Sequence, residues 1–115
     1  MSKYNKSVIY KIRCKDDNII EFYLGSSINF KRRILQHKKA CYNKCKKSYH
    51  NKLYTFMRQT GGFDNFEFIE LEKIVCNNKY ELLQKEQKYI DELKPLLNSN
   101  NSYKFNLQNI EPSLP

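Results

Sequence analysis

The hydrophobic positions near the start of this chain follow the short period of β-strands. Residues 7–14 and 19–25 are rich in β-branched and aromatic side chains, and a short polar loop with two aspartates separates them. This pattern predicts a β-hairpin. A loop that is symmetrical about its two aspartates would place Tyr10 directly opposite Tyr23, on the same face of the ribbon.

The pattern then changes to helical spacing. Asn29 is a suitable N-cap for a first helix that ends at about Cys41 or Tyr42. Ser48 would cap a second helix, which has an apolar stripe and ends at a Gly-Gly pair. Residues 66–75 alternate as a third strand, and residues 79–93 form a third helix that Pro95 closes.

The predicted element order is β-β-α-α-β-α. This order predicts an α+β fold in which three helices flank a small three-stranded antiparallel sheet. At 115 residues the chain is long enough for one modest core and too short for two. We expect one domain over residues 7–108, with terminal tails at residues 1–6 and 109–115.

Charge narrows the class of partner. The net charge is +9, and residues 22–63, called the basic segment below, contain ten Lys or Arg and no Asp or Glu. Such a segment indicates an anionic partner, and nucleic acid fits best because no apolar run is long enough for a membrane span. The expected backbone contacts are Lys31, Arg32, Lys38, Lys39, Lys44, Lys46, Lys47 and Lys52.

The N-terminus leads directly into a strand-like run without the pattern of a signal peptide. We therefore expect an intracellular protein, in cytoplasm or nucleus, whose four cysteines stay reduced. No membrane association is expected.

Glu86 is the most informative single position. It falls within the apolar stripe of the third helix, where a carboxylate is costly unless it is paired or binds a cation. One interpretation is a buried ion pair with a lysine, or a glutamate at the edge of the stripe. The other is a metal ligand.

Arg33 and His37 lie one turn apart on the first helix. An arginine fork can hold phosphate oxygens, and a histidine can move a proton near neutral pH. The alternative is a solvated basic helix in which His37 is incidental. Similarly, Tyr10 and Tyr23 could simply pack on the core, or their phenols could act beside an activated water.

Other chemistries fit less well. His37, Cys41 and Cys45 recur at four-residue spacing, but structural zinc usually takes four ligands from two separated clusters, so buried cysteines are the better account. The P-loop, HExxH, GxSxG and CxxC patterns are all absent from the sequence.

Taken in order, several short motifs resemble the GIY-YIG nuclease family. Val8-Ile9-Tyr10 and Tyr23-Leu24-Gly25 are similar to the two motifs that name it, with valine replacing the first glycine and a slightly longer gap between them. Residues 25–37 resemble its helical segment with Arg and His, and residues 51–66 its second helix and third-strand entry. The remaining matches are Glu86, at the family's glutamate, and Phe105-Asn106-Leu107, at its asparagine motif.

The resemblance implies hydrolysis of DNA phosphodiesters, on duplex or branched DNA, with one divalent ion, Mg²⁺ or Mn²⁺. It assigns the ion to Glu86 and the scissile phosphate to Arg33. Tyr10, with Tyr23 or His37 assisting, would deprotonate the attacking water. The implied catalytic positions are Tyr10, Tyr23, Arg33, His37, Glu86 and Asn106, of which Asn106 would be a positioning residue near Glu86.

Two rival functions remain open from the sequence. A non-catalytic module of the same fold could bind DNA or RNA through the basic segment alone, but it would have little reason to keep all six catalytic positions. A ribosome-associated or other RNA-binding protein would explain the charge but not Glu86. We expect no added DNA-binding region in a chain of this length, so the protein would recognise a DNA structure, form a homodimer, borrow specificity from a partner protein, or cut with little sequence preference.

Overall fold

A largely buried strand forms the centre of the sheet. The computed structural model describes residues 3–98, in which β1 (Ser7–Cys14) lies between β2 (Phe22–Ser27) and β3 (Phe66–Ile74). β1 is antiparallel to both neighbours. Because helices pack on both faces of the sheet, six of the eight side chains of this central strand are buried, and only Lys11 and Arg13 are half-buried.

The predicted hairpin forms, but its register differs from the prediction. Tyr10 pairs with Gly25, and Tyr23 pairs with Ile12. The expectation that Tyr10 lies directly opposite Tyr23 is therefore wrong, although both rings remain on one face because the shift is two residues. The cause is an asymmetric loop. Asp16 accepts hydrogen bonds from the backbone N–H groups of Asn18 and Ile19 and so forms a turn, and residues 19–21 stay outside the strand.

The helices confirm two of the three predicted starts. Helix α1 (Phe30–Tyr42) begins after Asn29, whose side chain accepts a hydrogen bond from the backbone N–H of Arg32. Helix α3 (Lys79–Leu93) begins after Asn78, which caps it in the same way.

The second helix begins later than predicted. A single 3-10 turn occupies Lys47–His50, and α2 (Lys52–Gln59) follows it with Asn51 at the N-cap position. The prediction that Ser48 caps this helix is therefore wrong. The physical reason is that Ser48 lies within the 3-10 turn, which takes the place of the first turn of the expected helix.

Helices cover the two faces of the sheet unequally. α1 and α2 pack on the face that carries Tyr10 and Ile12, and α3 packs on the face that carries Ile9. α3 buries only Leu82 completely, while Leu83 and Leu93 are 46% and 47% exposed. The apolar stripe predicted for α3 is thus only partly a core contact.

A β-bulge interrupts the sheet beside Tyr10. Ile9 pairs with Glu72, whereas Tyr10 pairs with Glu70, which leaves Leu71 unpaired on β3. A bulge bends its strand and increases the local twist, and bulges commonly occur next to active sites. None of the helices in the described part of the chain is long and apolar enough to cross a membrane.

Candidate active site

Residues from both faces of the sheet meet in one open cleft of about 400 Å³. β1 and β2 contribute Tyr10 and Tyr23, α1 contributes Arg33, and α3 contributes Glu86. Four of the six predicted catalytic residues therefore line the same cavity. The predicted positioning residue Asn106, with the Phe105-Asn106-Leu107 motif, lies outside the described residues.

The Tyr10 ring lies directly over Gly25, its partner across the hairpin. A Cβ atom at position 25 would lie 2.5 Å from the Tyr10 hydroxyl oxygen and 2.6 Å from the adjoining ring carbon. Only a glycine leaves room for this ring position. Gly25 is therefore required by the close approach of Tyr10 and not by its own backbone conformation.

His37 lies behind the cleft and joins two phenols. Its Nε2 atom is 2.7 Å from the Tyr10 hydroxyl, and its Nδ1 atom is 2.7 Å from the Tyr54 hydroxyl. The side chain is completely buried, so the interpretation of His37 as a solvated, incidental residue is wrong. Burial, reinforced by nearby Arg33, lowers the pKa of His37 to about 3 and keeps the ring neutral at physiological pH.

Arg33 joins this group to the cleft. Its Nε atom donates to the Tyr10 hydroxyl at 3.3 Å, and its Nη1 atom donates to Gln36 Oε1 at 3.3 Å. Burial alone would lower the pKa of Arg33, but the phenols of Tyr10 and Tyr23 raise it overall. The guanidinium stays charged at the cleft wall, where it can meet a phosphate.

Both cleft phenols resist ionisation in the free protein. Burial, and then the neighbouring Tyr23, raise the pKa of Tyr10, while Arg33 opposes the rise. Burial, and then Glu86, raise the pKa of Tyr23. A free phenolate at Tyr10 is therefore costly, so this residue can take a proton from water only if its own proton leaves at the same time.

Glu86 is half-buried and accepts a hydrogen bond from the Ser26 hydroxyl at 2.5 Å. Burial raises its pKa, whereas the Ser26 hydrogen bond and the charge of Arg33 act in the opposite direction. Among residues 3–98, no lysine, arginine or histidine nitrogen lies within 4.0 Å of this carboxylate. The ion-pair interpretation of Glu86 is therefore wrong for the described part of the chain.

The oxygen ligands around Glu86 fit a hard divalent cation that keeps most of its bound water molecules. One carboxylate, with serine hydroxyls beside it, suits Mg²⁺, which proteins often bind through one or two carboxylates together with substrate phosphates. In the described residues, no group of three or more His, Cys, Asp or Glu side chains could form an all-protein metal cage. The His37–Cys41–Cys45 face is no zinc site, because both nitrogens of His37 face tyrosine hydroxyls and Cys45 is exposed.

Comparison with known proteins identifies the family. The profile of the GIY-YIG catalytic domain matches residues 6–103. The chain belongs to the GIY-YIG nuclease family. The solved catalytic domain of the homing endonuclease I-TevI is 30% identical to it, with a TM-score of 0.64 over 84% of this chain and 97% of that domain. A search of curated protein sequences finds no match.

The GIY-YIG fold and the three-stranded antiparallel sheet with three helices are thereby confirmed. The protein is a nuclease, an endonuclease that hydrolyses phosphodiester bonds.

The GIY-YIG domain exposes most of the Lys and Arg side chains of its basic segment to solvent. Two of the ten Lys and Arg residues are half-buried: Arg33 lines the cleft, and Arg58 donates to the backbone carbonyls of Cys41 and Tyr49. The other eight, which are the predicted backbone contacts, are all exposed: Lys31, Arg32, Lys38, Lys39, Lys44, Lys46, Lys47 and Lys52.

Sequence reasoning missed three residues that support this GIY-YIG site. Ser26 holds Glu86, Tyr54 holds His37, and Asn98 bonds both the N–H and the C=O of Leu24 on β2. Tyr54 could have been flagged as a phenol within the apolar stripe of the second helix. Ser26 and Asn98 carry no periodic signal, because their partners are 60 and 74 residues away in sequence.

Proposed function

We propose that this GIY-YIG nuclease cuts DNA with the help of one divalent ion, Mg²⁺ or Mn²⁺, held by Glu86. The observation that carries the proposal is a half-buried carboxylate that faces Arg33 across an open cleft without a basic partner within 4.0 Å among the described residues. A carboxylate in that position is costly to maintain unless it binds a cation.

Each residue around the cleft has its own role in the proposed mechanism. When bound, a divalent ion supplies charge stabilisation to the scissile phosphate and the leaving oxygen. Arg33 contributes fixed positive charge to the non-bridging oxygens, where negative charge builds during the reaction. Ser26 orients the Glu86 carboxylate through its hydroxyl. A positioning role near Glu86 remains a prediction for Asn106.

Tyr10 is the group that we assign to the attacking water. Its hydroxyl accepts from Arg33 Nε and bonds to His37 Nε2, so it can receive a proton on the cleft side while its own proton moves to the histidine. Tyr23 is the supporting phenol of the cleft. Its ring centroid is 6.4 Å from that of Tyr10, and it lacks the short hydrogen bond to His37 that Tyr10 makes.

The exposed residues of the basic segment would hold the DNA backbone without reading its sequence. We further propose that the protein works inside the cell, in cytoplasm or nucleus, because all four cysteines are free thiols. Specificity would come from DNA structure, from a homodimer or from a partner protein. Cleavage mapping on plasmid, flap, branched and single-stranded DNA would separate a structure-selective enzyme from an unselective one.

Glu86→Gln tests the proposed function directly. The variant keeps the size of the side chain and removes its charge, and Glu92→Gln on the exposed side of α3 provides the matched control. With supercoiled plasmid and Mg²⁺, we expect Glu86→Gln to lose about 10²–10³-fold in single-turnover cleavage rate, which is typical for removal of one electrostatic stabiliser. Glu92→Gln should cut like the wild type.

Equal cleavage by the wild type and Glu86→Gln would disprove the metal role of Glu86. If the wild type binds every DNA form but cuts none with Mg²⁺ or Mn²⁺, the rival reading of a non-catalytic binding module would be favoured. Melting temperatures of all three proteins would show that each is folded under the assay conditions.

A further inference from the structure

A second cavity adjoins the cleft at Tyr23 and Arg33. Its volume is about 290 Å³, and its wall combines a tyrosine of α2 with polar side chains of α1 and of the segment before α2. Tyr23 and Arg33 line both cavities. The volume is several times the ~30 Å³ that one water occupies in the liquid, so several waters can enter.

One continuous chain of hydrogen bonds runs from the cleft to this second cavity. Tyr10 lines the cleft, Tyr54 lines the second cavity, and the imidazole of His37 lies between them with 2.7 Å contacts to both hydroxyls. The chain is buried throughout, since Tyr54 is 5% exposed and the other two residues are 0% exposed. Besides the bonds within this chain, the Tyr10 hydroxyl accepts a hydrogen bond from Arg33 Nε.

We propose that Tyr54 completes a proton relay that carries the proton of the attacking water from Tyr10 through His37 into the second cavity. The proposal deepens the proposed nuclease function and rests on it. It gives the second cavity a role as a proton exit, and it makes Tyr54 a positioning and relay residue that never touches the substrate.

The hydrogen-bond directions favour this route. Because Arg33 Nε donates to the Tyr10 oxygen, the phenol proton of Tyr10 is left to point at His37 Nε2. A neutral imidazole that accepts at Nε2 carries its proton on Nδ1, and that proton points at the Tyr54 oxygen. The hydroxyl proton of Tyr54 is then free to face water in the second cavity.

The step balances without any charged intermediate on the chain. A bond forms between the water oxygen and phosphorus, and the bond to the leaving oxygen breaks, with that oxygen taking a proton from solvent. The proton lost by the water goes to the Tyr10 oxygen, the Tyr10 proton goes to Nε2 of His37, and the Nδ1 proton goes to the Tyr54 oxygen. The Tyr54 proton leaves to a water in the second cavity.

Each member of the chain gains one proton and loses one, so all three end neutral and His37 ends as its other tautomer. When the product has left, the same shifts run in reverse. Water in the cleft takes the cleft-side proton of Tyr10, the Nε2 proton of His37 returns to Tyr10, the Tyr54 proton returns to Nδ1, and Tyr54 takes a proton from water in the second cavity. The relay therefore removes the need for a free phenolate at Tyr10, which burial and the neighbouring Tyr23 disfavour.

Tyr54→Phe removes the hydroxyl and keeps the ring that packs in the core. We expect its single-turnover cleavage rate to fall by at least about tenfold, short of the 10²–10⁴-fold typical of a directly acting acid–base group. Tyr42→Phe is the matched control. The Tyr42 hydroxyl also has a structural role, because it accepts a hydrogen bond from the backbone N–H of Phe63, but Tyr42 does not line the cleft, so this variant should cut at the wild-type rate.

Two further measurements separate a relay from a merely structural role. The wild-type rate in mixtures of H₂O and D₂O should show a curved proton inventory, as several protons move together, and Tyr54→Phe should show a smaller isotope effect. In addition, Tyr54→Ala opens the second cavity to His37, so that water can take the place of the missing hydroxyl. We expect Tyr54→Ala to cut faster than Tyr54→Phe where both are folded, whereas a packing role predicts the reverse order.

The outcomes distinguish this proposal from the proposed function. A wild type that cuts no DNA would overturn both. A wild type that cuts, together with a Tyr54→Phe variant of equal rate and equal isotope effect, would overturn the relay alone. If Tyr54→Ala does not fold, the proton inventory of Tyr54→Phe still decides the question.

Discussion

Gly25→Ala is the substitution whose consequence can be worked most directly from the structure. The new methyl group would lie 2.5 Å from the Tyr10 hydroxyl oxygen, 2.6 Å from the adjoining ring carbon and 3.0 Å from a ring carbon of Tyr23. Ordinary contact begins at 3.4 Å, so the hydroxyl end of Tyr10 must move by about 0.9 Å. The backbone of Gly25 does not have the positive φ that strains other residues, so the effect is steric.

Tyr10 has little room for such a shift because it is completely buried. Overpacking of this kind typically costs about 1–3 kcal/mol of stability. The hydroxyl would also leave its 2.7 Å contact with His37, and a misplacement of about 1 Å can cost roughly 100-fold in rate. We therefore expect Gly25→Ala to lose about two orders of magnitude in cleavage, with only a moderate loss of stability.

The assay combines urea unfolding with single-turnover plasmid cleavage, at a temperature where every variant is folded. Gly61→Ala is the control, because Gly61 has φ of +93°, a methyl group there would lie 2.7 Å from the Asn65 amide, and neither residue lines the cleft. It should lose stability but keep its rate per folded molecule. A fully active Gly25→Ala variant would refute the steric argument, and an equally inactive Gly61→Ala variant would attribute the loss to instability instead.

Three other predictions concern protons, metal and DNA. Because the pKa of His37 is about 3 in the folded protein and 6.5 in the unfolded chain, the unfolded chain binds this proton first as the pH falls, and stability is lost below pH 6.5. The free energy of unfolding measured in urea should fall by about 2 kcal/mol between pH 6.5 and 5 because of this histidine. A His37→Gln variant whose unfolding free energy falls equally steeply with pH would contradict the assignment. Ser26→Ala should raise the Mg²⁺ concentration needed for half-maximal cleavage by about 10–100-fold, because it frees the Glu86 carboxylate, and an unchanged metal titration would refute this. Lys47→Ala should reduce the slope of log binding constant against log salt concentration by about 1. Lys88 is also exposed but lies roughly opposite Glu86 around α3, so Lys88→Ala should leave this slope unchanged. Equal slopes for the two variants would count against the basic segment as the DNA contact.

Local patterns in the sequence were sufficient for most of the elements. The bounds of β1 and α3 match the predicted residues 7–14 and 79–93, and α1 starts after the predicted Asn29 cap. These features depend on residues a few positions apart, where side-chain periodicity and capping act directly. The ordered set of short motifs was sufficient for the family as well.

Local patterns failed where two segments had to be aligned. The symmetrical loop assumed for the hairpin put Tyr10 opposite Tyr23, but the turn at Asp16 shifted the register by two residues. Ser48 has the right side chain for an N-cap, yet the chain forms a 3-10 turn there and α2 starts at Lys52. In both cases several loop conformations satisfy the same residues, and packing against the rest of the fold selects among them.

The sequence by itself thus determined the strands, the helices, the basic segment and a carboxylate at position 86 within an apolar stripe. Only the tertiary structure decided what that carboxylate and His37 touch, because their partners Ser26 and Tyr54 are 60 and 17 residues away in sequence. It also showed that Gly25 is needed for the space it leaves to Tyr10. Hydrogen bonds and steric limits of this kind arise when the sheet brings distant segments together, and no periodicity along the chain encodes them.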